Sequence, residues 1–238
     1  RMGERLGAYR IIKEIGRGGM GAVYLAERAD GEFERHVAIK VLKRGTDTEE
    51  VLRRFRAERQ ILARLNHPCI TQLFDAGVTT DGLPYFVMEL VSGQPITSFA
   101  NGQNVSLKSR LGLFLKVCSA VRAAHENGII HRDIKPSNVL VKADEQPKLL
   151  DFGIAKVIAY SENDDITVVA ERRLTPKYAA PELHRGEPVT AATDVYSLGT
   201  LLHDLIAPCS SATAEDHSSS CIKKVITQST QDDPKKRQ

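Results

Sequence analysis

The stretch His131-Arg132-Asp133-Ile134-Lys135-Pro136-Ser137-Asn138 places a His, an Arg, an Asp, a Lys and an Asn directly before the apolar run Val139-Leu140-Val141. Such a polar cluster beside a buried strand is costly unless its groups are hydrogen-bonded or bind a ligand. Asp133 could accept a proton from a hydroxyl, Lys135 could hold a phosphoryl oxygen, and Asn138 could coordinate a hard cation. A polar loop that merely joins two elements is the alternative interpretation of this stretch taken alone.

A glycine-rich stretch near the start of the chain lies between two segments with strand character. Residues 9–16 alternate, with Tyr9, Ile11 and Ile15 on one face, and residues 22–26 resume strand character after the glycines. Glycines allow backbone N–H groups to approach a phosphate without a Cβ in the way. A dinucleotide-binding fold would place a helix after the glycines, so the strand-loop-strand order argues against a nucleotide-binding module of that kind.

The next two segments each carry one charged residue of interest. The apolar strand predicted over residues 37–42 contains Lys40, and a lysine that faces a core needs an anionic partner. A lysine at a strand edge that reaches water is the alternative. Residues 48–65 show helical spacing, with Glu58 on the inner half, although a solvated helix face is the default interpretation of Glu58 alone.

The remaining chain alternates strand-like runs with helical patterns. We predict strands over residues 70–74 and 84–90, and a flexible Ser-rich linker over residues 208–220 before helical character resumes. A helix is predicted over residues 107–127 and ends at Gly128. The apolar positions that follow its helical period are Leu111, Phe114, Leu115, Cys118, Val121 and Ala124.

Composition and charge describe an ordinary globular protein, with 42% hydrophobic and 26% charged residues. The net charge of +3 is too small to indicate a nucleic-acid partner or a membrane surface. No apolar run approaches the roughly 18 residues of a membrane-spanning helix. The 4 cysteines have neither a C-x-x-C pair nor zinc-finger spacing, which indicates reduced thiols. We therefore expect a cytoplasmic domain, with any membrane anchor outside these residues.

The motifs together resemble those of the protein kinases. Residues 131–138 are similar to the catalytic loop H-R-D-x-K-x-x-N, residues 16–23 to the glycine-rich loop G-x-G-x-x-G-x-V, and residues 37–40 to V-A-I-K. Asp151-Phe152-Gly153 resembles the magnesium-binding D-F-G, and Ala180-Pro181-Glu182 resembles the A-P-E that ends an activation segment. These motifs occur in the family's order and near its spacing.

The resemblance covers residues 9–237 and implies an α+β fold with two lobes. Residues 1–91 would form a small lobe with an antiparallel β-sheet and the helix that kinases call αC. Residues 92–238 would form a larger, mostly helical lobe. ATP and Mg²⁺, with Mn²⁺ as an alternative cation, would bind between the lobes. The nucleotide-binding positions that the resemblance implies are Gly16, Arg17, Gly18, Gly19, Met20, Gly21, Val23, Ala38, Lys40, Met88, Glu89, Val91 and Leu140.

The resemblance also implies a role for each polar residue of the site. Lys40, held by Glu58, would bind the α- and β-phosphates of ATP. Asp133 would orient the acceptor hydroxyl and take its proton, and Lys135 would steady the γ-phosphoryl group. The metal ligands would be Asn138 and Asp151.

Features around the catalytic loop are similar to the Ser/Thr class of kinases rather than the Tyr class. Lys135 stands two residues after Asp133, and Thr175 directly precedes a proline. Leu174, where many family members have Gly, resembles a bacterial subgroup. The implied function is transfer of the γ-phosphoryl group of ATP to Ser or Thr hydroxyls of protein substrates. A pseudokinase is the competing class, but such proteins usually lack one of the Lys, Asp or Asn positions that this chain retains.

Regulation and scaffold are the last expectations that the resemblance supplies. The chain would self-associate and phosphorylate its own activation segment, where Ser161, Thr167 and Thr175 are the candidates and Thr167 is favoured. The phosphate would pair with Arg132. The alternative is that Arg132 only braces the loop through backbone carbonyls. Asp194, at the start of an apolar helix, would bond to the backbone of the catalytic loop. Arg237, in the late D-P-x-x-R motif, would pair with Glu182.

Overall fold

The computed structural model describes residues 1–19, 21–32, 34–43, 65–150, 176–209 and 217–237, with side chains omitted at 217–219. These residues divide into two compact units. The first contains the described residues of Arg1–Asn66 and Thr71–Val91. The second contains His67–Ile70 and the described residues from Ser92 onward.

The first unit is built on one antiparallel sheet. Within its described residues the strand order is β1-β2-β3-β4-β6-β5. The strands are β1 (Arg5–Leu6), β2 (Tyr9–Gly18), β3 (Gly21–Arg28), β4 (His36–Leu42), β5 (Leu73–Val78) and β6 (Pro84–Glu89). β2 and β3 form the predicted hairpin, with Gly18 paired to Gly21 across its tip. The β-strand preference of Val, Ile and Tyr accounts for the central strands.

One face of this sheet packs into a hydrophobic core. Along β4, Val37, Ile39 and Val41 belong to that core, whereas Ala38 and Lys40 point to the opposite face because side chains alternate along a strand. Cross-strand neighbours of the core residues, such as Tyr24 opposite Ile39, are buried with them. The sheet therefore separates a packed face from a second face that carries Lys40.

The prediction that Ile15 shares the inner face with Tyr9 and Ile11 is wrong. Tyr9 and Ile11 are 7% and 1% exposed, whereas Ile15 is 46% exposed. The pairing of β2 with β3 shifts register twice, between Ile11 and Lys13 and between Glu14 and Gly16. Each bulge adds one residue to β2, which moves the residues that follow out of the simple alternation.

The second unit is mostly helical. In its described residues the helices are α1 (Ile96–Gly102), α2 (Leu107–Glu126), α3 (Pro181–His184), α4 (Ala191–Ile206) and α5 (His217–Ser229). A small sheet joins β7 (Gln94–Pro95), β8 (Val139–Val141) and β9 (Pro147–Leu149) in that order. Turns of 3₁₀-helix form at Pro136–Asn138, Ala207–Cys209 and Pro234–Lys236. Among the described residues no helix is long and apolar enough to span a membrane.

Helix α2 has the predicted extent, and Val121 and Ala124 are buried as predicted, but the buried stripe is shifted around the helix. Ser106 caps it by accepting a hydrogen bond from the Ser109 N–H, and Gly128 follows its end with a φ of +73°. Its buried residues are Arg110, Leu113, Val117, Ala120, Val121 and Ala124. Leu115, which we expected to follow the inner stripe, is 66% exposed. The stripe of buried residues is rotated about the helix relative to the predicted apolar positions, because the charged residue Arg110 occupies an inner position.

Arg110 is a buried cation held by carbonyl oxygens. The side chain is 2% exposed and donates to the backbone oxygens of Val105, Ala100 and Leu205 at 2.7–2.8 Å. It also donates to Asn101 Oδ1 at 2.8 Å. Ala100 and Asn101 belong to the end of α1 and Leu205 to the end of α4, where helix carbonyls carry partial negative charge. Arg110 therefore ties three helices together.

Two predicted boundaries need correction. The strand expected over residues 70–74 begins at Leu73 instead, while Ile70 forms an isolated bridge with Leu149 in the second unit.

Part of the linker expected over residues 208–220 is also ordered, because the 3₁₀ turn Ala207–Cys209 and the first turn of α5 occupy its two ends. A Cβ on Gly199 of α4 would lie 2.1 Å from Ser229 Oγ, so α5 packs against α4 at a glycine. That packing outweighs the weak helix propensity of the Ser-rich sequence. Residues 210–216 lie outside the described residues.

Candidate active site

The loop that follows α2 brings three predicted site residues together. Asp133 Oδ2 accepts hydrogen bonds from Lys135 Nζ at 3.0 Å and from Asn138 Nδ2 at 3.0 Å. The side chains of Asp133 and Lys135 are each 20% exposed, so the carboxylate is accessible as well as oriented. An ionised carboxylate held by an ammonium group and an amide can accept a proton from a hydroxyl brought within hydrogen-bond distance.

Asn138 has its side-chain amide fixed in one orientation. Nδ2 donates to both the backbone oxygen and the carboxylate of Asp133, at 2.8 and 3.0 Å. Because both partners are acceptors, the atom they contact must be the nitrogen. Oδ1 is therefore the atom that remains to accept a donor or coordinate a cation. The backbone oxygen of Asn138 accepts from the Leu150 N–H at 2.8 Å, which holds the loop against the strand that leads to Asp151.

Asp194 of α4 supports this loop from beneath, as predicted. Its carboxylate is fully buried and accepts from the backbone N–H groups of His131 and Arg132 at 2.8 Å each. Arg132 has a φ of +66°, a strained conformation for a residue with a side chain, and the bond to Asp194 holds it there. His125 Nε2 provides a third contact to Asp194 at 2.8 Å. His125 was not among the predicted site residues, because its position at the end of α2 does not indicate a partner 69 residues away.

His131 has a structural rather than a chemical environment. Its side chain is fully buried, and Nδ1 accepts from the Asp133 N–H at 3.3 Å. Nε2 therefore carries the proton and donates to the Leu150 backbone oxygen at 2.8 Å. The imidazole links the two backbone segments on either side of the site and fixes the turn at Asp133.

The predicted nucleotide-binding residues of the first unit share one face of its sheet. The strand register places Val23 opposite Lys40 and Gly16 opposite Val23. It also places Ala38 opposite Met88. Residues directly opposite one another in an antiparallel sheet point to the same side. All five therefore lie on the face opposite the hydrophobic core.

The glycines of the glycine-rich loop differ in whether the surrounding structure requires a residue without a Cβ. A Cβ on Gly21 would lie 2.1 Å from the Val41 backbone oxygen, and its φ is +151°, so the sheet itself requires glycine there. A Cβ on Gly16 would lie 4.0 Å from the Val23 Cβ, and one on Gly18 would meet nothing within 4 Å among the described residues. Packing thus does not explain Gly16 and Gly18. Arg17 of the same loop is paired with the Glu14 carboxylate.

The remaining predicted nucleotide-binding positions lie within strands or close to their ends. Glu89 ends β6, and its N–H donates to the Gln72 backbone oxygen at 2.9 Å. Val91 follows it and is half-buried, as is Leu140 within β8 of the second unit. Gly19 lies at the exposed tip of the hairpin. Four predicted residues lie outside the described part of the chain: Met20, Glu58, Asp151 and Thr167. The predicted Lys40–Glu58 pair therefore stays a prediction.

A buried ion pair holds the segment that follows Pro176. Arg237 donates to both carboxylate oxygens of Glu182 at 2.7 and 2.8 Å, which confirms the predicted pair. The two side chains are 0% and 1% exposed, and Thr193 Oγ1 donates to the same carboxylate at 2.9 Å. Burial alone would raise the pKa of Glu182, but hydrogen bonds from Arg237, the backbone and Thr193 outweigh it and lower the pKa.

The residues just before Ala180 are bound to α4 as well. Tyr178 Oη donates to Asp204 Oδ2 at 2.5 Å, and Lys177 Nζ contacts the same carboxylate at 2.6–2.7 Å. Ser197 Oγ donates to the Tyr178 backbone oxygen at 2.8 Å. Burial, followed by the hydrogen bond to Asp204 and its charge, raises the pKa of Tyr178. The phenol therefore stays protonated and donates this bond throughout the neutral range.

The chain is similar in sequence to known proteins. The model of the family described as protein kinase domain matches residues 9–238. The chain is 38% identical over 203 residues to the serine/threonine-protein kinase PknB of Mycobacterium tuberculosis, covering 83% of this chain and 32% of that protein. It is 38% identical over 207 residues to PknA of the same organism, covering 84% of this chain and 47% of that protein.

Solved structures show the same likeness. The crystal structure of the Mycobacterium tuberculosis PknI kinase domain superposes with a TM-score of 0.71 at 27% identity, covering 100% of this chain and 93% of that chain. The chain spans about a third of PknB and about half of PknA, at 32% and 47% of their lengths.

Proposed function

The chain belongs to the protein kinase family as a serine/threonine kinase domain of the bacterial type, and we propose that Asp133 is the base of its phosphoryl transfer. The activity is ATP-dependent phosphorylation of serine or threonine in proteins. The observation that carries the assignment is the Asp133 carboxylate, which Lys135 and Asn138 orient while leaving it accessible. Phosphoryl transfer depends mainly on positioning and charge neutralisation, and this loop supplies both.

The division of roles within the loop follows from its charges. Asp133 accepts the proton of the acceptor hydroxyl as the oxygen attacks the γ-phosphorus. Lys135, already 3.0 Å from Asp133, donates to a γ-phosphoryl oxygen and offsets negative charge as the bond to the leaving oxygen breaks. Asp194 and His131 act only through the backbone, by holding Asp133 in place.

The first unit supplies the groups that bind the nucleotide in this proposal. Lys40 contacts the α- and β-phosphates, with Glu58 as its partner, and Gly16 and Gly18 let the loop backbone approach phosphate oxygens. The absence of a packing reason for Gly16 and Gly18 supports this role. We assign residues 1–91 to the small lobe and residues 92–238 to the large lobe. The adenine contacts that we assign are Val23, Ala38, Met88, Glu89, Val91 and Leu140.

A divalent cation accompanies ATP in this family, and we assign Mg²⁺ with Mn²⁺ as the alternative. Asn138 fits a hard cation, because its fixed amide presents Oδ1, an oxygen donor, away from Asp133. Asp151 is the second ligand in our proposal. The cation supplies charge neutralisation on the β- and γ-phosphates. The described residues contain no group of three or more His, Cys, Asp or Glu that would form a separate metal site.

Regulation and setting complete the proposal. Two copies of the chain associate, and one phosphorylates Thr167 of the other. Asp194 holds the strained backbone of Arg132 and so fixes the position of the Arg132 side chain. That side chain binds the phosphate group of Thr167. The net charge of +3 supports protein rather than nucleic-acid substrates. Free thiols at all 4 cysteines support a cytoplasmic setting.

The test is an Asp133→Asn variant, which keeps the size and hydrogen bonds of the side chain but removes the base. We expect transfer of radiolabelled phosphate from ATP to a protein substrate to fall roughly 10²- to 10⁴-fold while ATP affinity stays unchanged. The matched control is Asp144→Asn, an exposed aspartate paired with Lys142. Phosphoamino-acid analysis should find phosphoserine or phosphothreonine. More than about a tenth of wild-type activity in Asp133→Asn would refute the assignment, and ATP binding without transfer in the wild type would indicate a pseudokinase.

A further inference from the structure

One face of α5 carries polar residues at helical spacing. Ser220, Lys223, Lys224, Thr227 and Gln228 of α5 have the spacing i, i+3, i+4, i+7 and i+8 that shares one side of a helix, and their side chains line an open cavity of about 530 Å³. Gln231, two residues after the helix ends, lines the same cavity. Lys236, from the 3₁₀ turn Pro234–Lys236, closes one end. We call this feature the basic groove. It is lined by Ser220, Lys223, Lys224, Thr227, Gln228, Gln231 and Lys236.

The basic groove has an unbalanced positive charge. Three of its lining residues are lysines, and among the described residues neither Asp nor Glu lines it. Within the part of the chain that the structure describes, no carboxylate lies within the 4.0 Å of an ion pair from Lys223, Lys224 or Lys236. The exposed Lys142 and Lys177, in contrast, each contact an aspartate, at 2.9 and 2.6 Å. Among the described residues, the ammonium groups of the groove are thus not neutralised by a carboxylate.

We propose that the basic groove binds acidic peptide segments that carry a phosphorylated serine or threonine. A phosphate monoester brings about −1.5 to −2 charges and three strong acceptor oxygens. Lysines satisfy the charge, and the side chains of Thr227, Gln228 and Gln231 add hydrogen-bond donors to the phosphate or the peptide backbone. A concave site of this size holds one side chain with its flanking backbone.

A membrane surface is the other polyanion that lysines attract, and the groove fits it less well. Interfacial binding combines basic residues with apolar side chains that enter the lipid. Among the described residues no apolar or aromatic side chain lines the groove, and the exposed Val225 of α5 is not one of its lining residues. The cavity is also concave, whereas a bilayer presents a broad surface.

This inference rests in part on the proposed function, because a serine/threonine kinase generates the ligand that the groove would bind. A substrate phosphorylated once would gain a second attachment point, and its local concentration near the enzyme would rise. The groove would thereby favour further phosphorylation of the same substrate over a first phosphorylation elsewhere. Binding itself needs no catalysis, so it can be measured separately from transfer.

The experiment measures fluorescence anisotropy of a labelled peptide with the chain's own residues 161–168, phosphorylated at Thr167, without ATP. This octapeptide contains Glu162, Asp164 and Asp165 beside the phosphate. We expect the triple variant Lys223→Ala/Lys224→Ala/Lys236→Ala to bind it about tenfold or more weakly than the wild type. The control triple variant, Lys13→Ala/Lys108→Ala/Lys116→Ala, removes the same charge from exposed lysines elsewhere and should bind as the wild type does.

Several outcomes would overturn the proposal. Equal weakening in the two triple variants would mean that net charge alone drives binding. Equal affinity for the phosphorylated and the unphosphorylated peptide would exclude phosphate recognition. If inorganic phosphate displaced the peptide at a concentration similar to that of the peptide, the groove would be an adventitious anion site only. Binding of the groove to phosphatidylserine vesicles but not to the phosphopeptide would identify a membrane site instead. A single Lys224→Glu variant repeats the test with minimal change, and circular dichroism checks that each variant is folded.

Discussion

Removing Arg237 should destabilise the protein more than removing a charged side chain from the surface would. The guanidinium is fully buried and donates two hydrogen bonds to Glu182, which is 1% exposed. In Arg237→Met the carboxylate would stay buried with Thr193 as its remaining side-chain donor. Breaking one partner of a buried ion pair costs about 3–5 kcal/mol. For a domain of this size each kcal/mol lowers the melting temperature by about 2–4 °C, so we expect a fall of about 6 to 20 °C.

Urea and thermal unfolding of the variant, followed by circular dichroism, provide the measurement. The matched control is Lys235→Met, two residues earlier and exposed, which should stay within about 0.5 kcal/mol of the wild type. The double variant Glu182→Gln/Arg237→Met should lose less than the sum of the single losses, because it leaves no unpaired buried charge. A loss below about 1 kcal/mol in Arg237→Met, or additive losses in the cycle, would refute the argument.

The same pair predicts a pH dependence. Because the folded state lowers the pKa of Glu182, the unfolded state binds its proton more readily, and stability increases with pH through this range. The contribution is fully present above the unfolded pKa of about 4.3 and is lost as pH falls through the folded value. The stability difference between wild type and Glu182→Gln should therefore shrink below about pH 4. A difference that stays constant down to pH 3 would contradict this account.

Three further predictions concern the first unit and the activation segment. Lys40→Met and Glu58→Gln should each lower kcat, and a double-mutant cycle should show much less than additive losses; additive losses would mean that the two side chains act separately. Mass spectrometry after incubation with Mg-ATP should find phosphate on Thr167, and Thr167→Ala should lower activity towards an added substrate; an unmodified segment in a fully active enzyme would exclude this switch. Gly21→Ala should destabilise the protein by about 1–3 kcal/mol in urea unfolding, while Gly18→Ala stays within about 0.5 kcal/mol, and equal effects would contradict the packing argument.

The fold of the first unit was largely predictable because its strands follow local rules. Alternation predicted β2, apolar runs with strand character predicted β3 and β4, and the glycines between the first two strands predicted their hairpin. Ile15 was misplaced because a bulge depends on how the partner strand pairs, and one sequence does not contain that pairing. The start of β5 was misplaced for a similar reason, since Ile70 pairs with Leu149, far away in the chain.

In the second unit, periodicity located helix α2 but not its orientation. Counting apolar positions assumes that charged residues face water, and Arg110 violates this because carbonyl oxygens of other helices surround it. Leu115 was consequently assigned to the wrong side. The role of His125 could not be predicted either, because its partner Asp194 lies on α4.

The candidate site was the most predictable part, because its chemistry is concentrated in neighbouring residues. Asp133, Lys135 and Asn138 lie within six positions, and the contacts among them are local. The support beneath them was expected only through the resemblance to kinases. No local rule indicates that Asp194 would reach back 63 residues to the His131 N–H.

Helix α4 also has a consequence for how the protein acquires activity while it folds. Its first turn binds the catalytic loop through Asp194, and Thr193 contacts the buried pair of Glu182 with Arg237, whose partners are separated by 55 residues. Contacts between residues so far apart close late, because the chain must first lose the entropy of the intervening loops. The hydrogen bond from the Arg132 N–H to Asp194 holds the strained conformation of Arg132. A refolding molecule should therefore gain helices and a hydrophobic core before it gains turnover, and partly folded forms that phosphorylate substrates indiscriminately should not accumulate.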